Sequence, residues 1–162
     1  MDFWEKFIPL SQLGPWREEI RRKGLTLVVT NGCFDLLHIG HATYLQEARK
    51  LGDLLLVGVN SDASVRAIKG PGRPIHPERD RAGLVAALAS VDAVTIFSQP
   101  TALEFLRIVR PDIYVKGGDY TIDTINQEER RLVEALGGRV VVLGGVPGKS
   151  TTEILRRLRA IQ

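Results

Sequence analysis

Two histidines three residues apart, His38 and His41, stand in the segment Thr30-Asn31-Gly32-Cys33-Phe34-Asp35-Leu36-Leu37-His38-Ile39-Gly40-His41. An apolar run, Leu25-Thr26-Leu27-Val28-Val29, precedes it, and Ala42-Thr43-Tyr44-Leu45-Gln46-Glu47-Ala48-Arg49-Lys50-Leu51 follows. That pattern predicts a buried strand, a glycine-bearing turn and the start of a helix. At such a junction both imidazoles can project from one side of the first helical turn. Gly32 and Gly40 remove side chains and let an anion approach backbone N–H groups, while the helix N-terminus adds a field that favours negative charge. Imidazoles there can donate hydrogen bonds to phosphate oxygens, and a bound anion favours their protonated form. The expected chemistry is phosphate binding. A metal site is the competing reading, but the spacing offers no third ligand and no metal-ligating residue is assigned. Cys33 has no general base arranged beside it in the sequence, so it reads as a small packing residue rather than a nucleophile.

The elements that must position these residues are legible along the chain. Leu25–Thr30, Leu54–Asn60, Ala93–Phe97, Ile113–Lys116 and Arg139–Leu143 read as strands. Most are apolar nearly throughout, as parallel strands covered on both faces should be. Between them Gly40–Leu51, Arg79–Ala89, Ala102–Val109 and Asn126–Leu136 read as helices. Thr101 with Glu104, and Asn126 with Glu129, fit capping boxes, while Gly52, Gly137 and Gly138 are helix stops. The alternation predicts an α/β fold: a doubly wound, Rossmann-like, five-stranded parallel sheet with helices on both faces. Residues 1–24 read as a leading helical segment packed on that sheet, with Leu10, Leu13, Trp16 and Ile20 on one face, inside a single domain spanning 1–162. Lys69-Gly70-Pro71-Gly72-Arg73-Pro74-Ile75-His76-Pro77 reads as a structured loop. Ligands of open α/β sheets sit outside the carboxyl ends of the strands. Four polar clusters fall just after predicted strands and could line one cleft: Asn31–His41, Asn60–Arg81, Lys116–Tyr120 and Gly148–Thr152.

Composition narrows the class. The balance of 22 Lys+Arg against 19 Asp+Glu gives +3, with no basic stripe interleaved with aromatics, so nucleic acid is not an expected partner. One cysteine allows no internal disulfide and fits a cytoplasmic protein. No apolar run approaches the roughly 20 residues of a membrane span, and the amino terminus lacks the apolar core of a signal peptide.

The residues Asn31 to His41 closely resemble the His-x-Gly-His signature of the cytidylyltransferase-like nucleotidylyltransferases. The resemblance extends through Ala48–Asp53, Val59–Val65, Lys69–Pro74, Val115-Lys116-Gly117-Gly118-Asp119-Tyr120 and Ser150-Thr151-Thr152, from about residue 10 onward. At that detail the chain is similar to the adenylyltransferase domain of ADP-heptose synthesis, without an attached sugar kinase. What the resemblance implies is transfer of AMP from ATP to a sugar 1-phosphate, D-glycero-D-manno-heptose 1-phosphate foremost, with pyrophosphate leaving. Such chemistry rests on positioning and charge neutralisation. By resemblance His38, His41 and Lys69 are the catalytic group. Asn31, Gly32, Cys33, Phe34 and Gly40 would cradle the nucleotide, Arg81 would reach the active site, and Lys116, Gly118 and Asp119 would lie by its base and ribose. Asp35 either contacts the acceptor or fixes the loop; Asn60, Asp62 and Arg73 are further substrate-binding candidates, and Arg79 is weaker. Mg²⁺ would be held mainly through the triphosphate. ATP and a sugar phosphate are the expected small-molecule partners, and relatives of the fold imply a homodimer.

Gly148-Lys149-Ser150 suggests a P-loop, but the glycine that motif needs five positions earlier is Leu143, so that reading fails. Ser150, Thr151 and Thr152 instead resemble the family's Ser-Thr-Thr signature at the last helix, suited to holding phosphates and to N-capping. Gly145 and Val146 stand where the glycerol-phosphate cytidylyltransferases carry arginine and threonine, which favours the adenylyl donor. Asp123–Arg130 departs from the family's segment, which leaves the acceptor open. The alternatives are a CTP-dependent glycerol-3-phosphate or related alcohol-phosphate cytidylyltransferase, and a non-catalytic nucleotide-binding subunit.

Overall fold

The computed structural model describes residues 1–162. Five apolar runs form the strands β1 (Leu27–Gly32), β2 (Leu54–Asn60), β3 (Ala93–Phe97), β4 (Ile113–Gly117) and β5 (Arg139–Leu143). All pair in parallel, in the order β3-β2-β1-β4-β5. Successive side chains of a strand point to opposite faces, and both faces are covered. Val28, Leu55, Val57 and Val115 meet Leu45 and Ala48 of α2 (Ile39–Arg49) and Ala82 and Val85 of α4 (Glu78–Ala86). Leu27, Val29, Leu56 and Tyr114 meet the opposite layer of α1 (Leu10–Arg22), α5 (Leu103–Val109) and α6 (Gln127–Ala135), through Leu13, Ile20, Phe105, Leu106 and Val133. Two further helices, α3 (Asp62–Lys69) and α7 (Thr151–Ile161), complete the chain. This is the doubly wound, Rossmann-like sheet that the strand pattern predicts. No helix is long and apolar enough to cross a membrane.

The strand order positions the site. β1 lies between β2 and β4, so the chain leaves it toward one side first and returns to its other side later. The carboxyl ends of β1 and β4 therefore flank the crevice at the switch point, where ligands bind in such sheets. Asn31 and Gly32 end one strand; Lys116 and Gly117 end the other.

The leading segment does more than cover the sheet. After a turn of 3₁₀ helix at Phe3–Lys6, Ile8 N–H donates to Val94 O at 2.8 Å and shields the open edge of β3. On α1, Arg17 is buried and its guanidinium donates to Val109 O (2.9 Å) and Arg110 O, and pairs with Asp112 (3.1 Å). It thus serves carbonyls at the C-terminal end of α5, where a cation is favoured. Asp112 also accepts from Leu27 N at 2.8 Å and so ties the start of β1 to the same knot.

One helix is added to those expected, and two capping expectations are corrected. Asp62–Lys69 is a helix capped by Ser61, whose Oγ accepts from Ser64 N, and the eight residues are too short for their periodicity to stand out. Thr101 is not an N-cap: α5 starts one residue later, from Ala102, with no side-chain cap. Asn126 caps α6 through Glu128 N and Glu129 N, yet Glu129 does not close the box. Its carboxylate turns inward to accept from Ala102 N.

Candidate active site

Asn31–His41 leaves β1, crosses the sheet end and enters α2. Phe34, a buried non-glycine residue at φ +49°, takes the left-handed conformation there, a local strain held by its surroundings. Its ring packs 5.3 Å from that of His41. The imidazoles of His38 and His41 stack with centroids 3.9 Å apart at 29°. His38 is the N-cap of α2, and its Nδ1 accepts from Gly40 N at 3.0 Å. His41 Nδ1 accepts from His38 N at 3.4 Å and completes a reciprocal box. With both Nδ1 atoms engaged as acceptors, each neutral ring carries its proton on Nε2. Burial lowers the pKa of His38; burial, then the neighbouring His38, lowers that of His41 to about 4. The pair is thus neutral at pH 7, with two Nε2–H donors left for a ligand.

Gly40 has a different task from the one its sequence position suggests. Its N–H is taken by His38, and a Cβ built on it would lie 2.7 Å from His38 Cε1. Only glycine lets the imidazole fold back over its own helix. Gly117 plays the same part for Tyr44, whose ring would lie 2.6 Å from an added Cβ. Tyr44 OH bonds Thr30 Oγ1 (2.7 Å) and Val115 O (3.0 Å), and its burial raises its pKa.

A cavity of about 550 Å³ opens over this turn. It brings together Asn31, Gly32, Cys33, Phe34, Asp35, His38, Gly40, His41, Lys69, Arg73, Lys116, Gly118, Ser150, Thr151 and Thr152, all named from sequence. Ile68, Tyr120 and Lys149, from the polar clusters expected at the strand ends, also line it, and Tyr44 and Val146 join them without having been expected there. The N-terminal ends of α2 and α7 both face it. At the second, Ser150 Oγ caps by accepting from Glu153 N at 3.0 Å, and Thr151 Oγ1 reaches Leu36 O. Two helix N-termini and three lysines make the cavity electropositive while its histidines are neutral.

Other expected residues lie elsewhere. Arg81 does not line the cavity: it is fully buried beneath it, donating to Cys33 O (2.6 Å), His76 O (2.9 Å) and Asp62 Oδ1 (2.9 Å). One guanidinium fork thereby ties the turn after β1, the Gly/Pro loop and α3. Asp62 is its partner and does not line the cavity either. Arg79 sits over the Trp4 ring on the outer surface, 4.5 Å from its centroid. Asp119 is exposed beyond the end of β4. Asn60 lines a second, smaller chamber.

Asp35 lines the cavity but is engaged on its loop side. It accepts from Arg73 Nε (2.7 Å), Ile75 N (2.8 Å) and His76 N (3.0 Å). Burial by itself would raise its pKa; the His76 and Ile75 amides and Arg73 outweigh that and hold it below the ordinary value. Cys33 moves the other way: burial raises its thiol's pKa against the pull of Lys69, Arg81 and Arg73, so it stays a thiol. No cluster of three His, Cys, Asp or Glu side chains stands ready for a metal ion.

The chain that carries this site is similar to known proteins. Residues 29–157 match the cytidylyltransferase-like family. The chain belongs to that family. This cytidylyltransferase-like chain is 55% identical over 138 residues to the bifunctional protein HldE of Syntrophotalea carbinolica, covering 85% of this chain and 28% of that one. It is 52% identical over 145 residues to the HldE of Mesorhizobium japonicum, covering 90% and 28%. It therefore spans less than a third of the length of these curated relatives. Among solved structures it is similar to the lipopolysaccharide core biosynthesis protein from Thermoplasma volcanium GSS1, at TM-score 0.62 and 31% identity, over 76% of this chain and 98% of that one. Membership of that family makes the chain a nucleotidyltransferase.

Proposed function

We propose that the chain transfers the adenylyl group of ATP to a sugar 1-phosphate, with D-glycero-D-manno-heptose 1-phosphate as the acceptor, and releases pyrophosphate. The observation that carries this reading is the His38–His41 stack, its two Nε2–H donors facing a cavity into which two helix N-termini converge. That is a site for an extended polyanion. The triphosphate would lie along the N-termini of α2 and α7, with Lys69 and Lys149 at its sides. Gly118 and Gly145 stand side by side, a Cβ on Gly145 lying 3.8 Å from Gly118 Cα, and form a side-chain-free rim on which the nucleotide's base would rest.

In the reaction an acceptor phosphate oxygen forms a bond to the α-phosphorus of ATP, and the bond from that phosphorus to the bridging β-oxygen breaks. The electron pair leaves with pyrophosphate. His38 and His41 would donate to the oxygens on which charge builds, and the bound anion would draw a proton onto the pair. Lys116, at the end of β4, would hold the incoming phosphate. With Asp35 occupied by Arg73 and two amides, the lining offers no free carboxylate cage. That fits Mg²⁺ carried by the nucleotide's own oxygens and water, where it would screen the β- and γ-phosphates.

The test is pyrophosphate release from ATP and CTP against a panel of sugar and polyol phosphates. ATP with heptose 1-phosphate is expected to turn over, and His41→Ala to abolish it. Release only from CTP with glycerol 3-phosphate would overturn both donor and acceptor.

A further inference from the structure

Beside the main cavity lies a second chamber of about 250 Å³ at the carboxyl ends of β2 and β3. The two share Asn31, Ile68, Lys116 and Tyr120, so they meet beside the point where Lys116 would hold the incoming phosphate. Their chemistry differs. The main cavity gathers the lysines, the histidines and two helix N-termini; the second has one lysine, at the shared mouth, and a carboxylate on its floor.

That carboxylate is Glu129, only 5% exposed. A buried carboxylate ordinarily collects short, charge-assisted hydrogen bonds. Glu129 has one contact of ordinary length, from Ala102 N at 3.2 Å. Its other contacts are longer: Tyr114 OH at 3.5 Å, and Lys116 Nζ at 3.7 Å, an ion pair without a hydrogen bond. Tyr114 gives its proton instead to Asn31 Oδ1. Glu129 Oε2 therefore keeps lone pairs open toward the chamber. Asn60, also buried, uses its Nδ2 on Ser64 Oγ at 2.7 Å, and no protein donor reaches its Oδ1. The chamber faces the open acceptors of Glu129 and Asn60 with neutral donors on Asn31, Thr101, Tyr120 and Asn126, carries no net positive lining away from its mouth, and adjoins the phosphate position. A neutral group rich in hydroxyls meets those conditions, because each hydroxyl brings a donor of its own. A second phosphate does not.

We propose that this chamber holds the polyhydroxylated body of the phosphate acceptor, and that Glu129 on its floor is the residue that reads the acceptor's hydroxyls. The inference rests on the main cavity being the nucleotide site. It assigns Glu129 to the sugar and not to the nucleotide, which makes the two separable.

The test is calorimetric titration of the full chain with D-glycero-D-manno-heptose 1-phosphate, mannose 1-phosphate and inorganic phosphate, each in the presence of a non-hydrolysable ATP analogue. Wild type is expected to bind the sugar phosphates more tightly than inorganic phosphate. Glu129→Gln keeps the shape and removes the charge. It is expected to weaken the sugar phosphates by about 10- to 100-fold, toward the affinity of inorganic phosphate, with the ATP analogue unchanged. Thr101→Phe, at an exposed position on the chamber wall where the core is not disturbed, is expected to do the same by filling space. Sugar affinity untouched in both variants overturns the proposal. So does an equal loss of the ATP analogue, which would put the nucleotide in this chamber, or wild-type binding of sugar phosphates no tighter than of inorganic phosphate. The expected binding pattern without pyrophosphate release in any combination would sink the proposed reaction and leave the chamber assignment standing.

Discussion

Nucleotide binding should draw a proton onto His41. In the free protein, burial and the adjacent His38 lower its pKa to about 4, so at pH 7 about one molecule in 10³ is protonated there. A phosphate oxygen about 4 Å from the ring, at the effective dielectric of about 20 that suits such sites, stabilises the imidazolium by about 4 kcal/mol. At about 1.36 kcal/mol per unit, that carries the pKa up by about three units, to about 7. Uptake of about half a proton is then expected at pH 7, about 0.9 at pH 6 and about 0.1 at pH 8. The assay is titration of the magnesium complex of a non-hydrolysable ATP analogue in buffers of different ionisation enthalpy. The slope of heat against that enthalpy counts protons. His41→Asn supplies the baseline, because the nucleotide's own titration is common to both proteins. A wild-type slope equal to that of His41→Asn across pH 6–8 would refute the reasoning. The free protein shows the same linkage from the other side. Between pH about 6.5 and about 4 the unfolded chain binds more protons at this residue, so stability falls as acid enters that window. The half-buried ring is open enough to solvent that the loss is about 1–2 kcal/mol.

Two further substitutions probe the scaffold. Gly40→Ala favours the helix, yet its Cβ would meet the His38 ring at 2.7 Å; kcat/KM is expected to fall by about 10² with the melting temperature nearly unchanged, and a fully active variant would show that the imidazole fold-back is dispensable. Arg17→Ala strips the donors from the end of α5 and leaves Asp112, itself partly exposed, without its partner. A cost of about 3 kcal/mol, or about 6–12 °C in Tm, is expected by thermal unfolding, with activity retained below the transition.

What the sequence could show was local. His38, Gly40 and His41 lie within one helical turn, so their spacing alone placed them together, and the apolar runs placed the five strands. The residues that hold the site open are another matter. Asp35 meets the amides of Ile75 and His76 from 40 and 41 positions away, and Arg81 grips Cys33 O from 48. Nothing in the residues around Arg81 distinguishes a guanidinium reaching a ligand from one spent on carbonyls beneath the ligand. Glu129 was read as half of a capping box because Asn126 stands three residues before it. The pairing that decides its direction, to Ala102, depends on α5 and α6 packing side by side. Tyr44 looked like any helix residue, since what marks it is Gly117 on a strand more than 70 positions later.

The charges near the phosphate turn are arranged so that most of them are already answered. Arg81 is spent on Asp62 and two carbonyls, Arg73 on Asp35, and Lys116 stands within 3.7 Å of Glu129. The two histidines are neutral until an anion arrives. Only Lys69 and Lys149, both exposed, face the cavity without an acidic partner. A pocket of fixed, desolvated cations would repel itself in the free protein and would hold pyrophosphate as firmly as ATP. On the proposed reading, much of the compensating charge would be supplied by a proton that enters with the nucleotide and leaves with pyrophosphate. The buried ion pairs hold the walls, and on that reading the histidines, not the arginines, would carry the charge that changes.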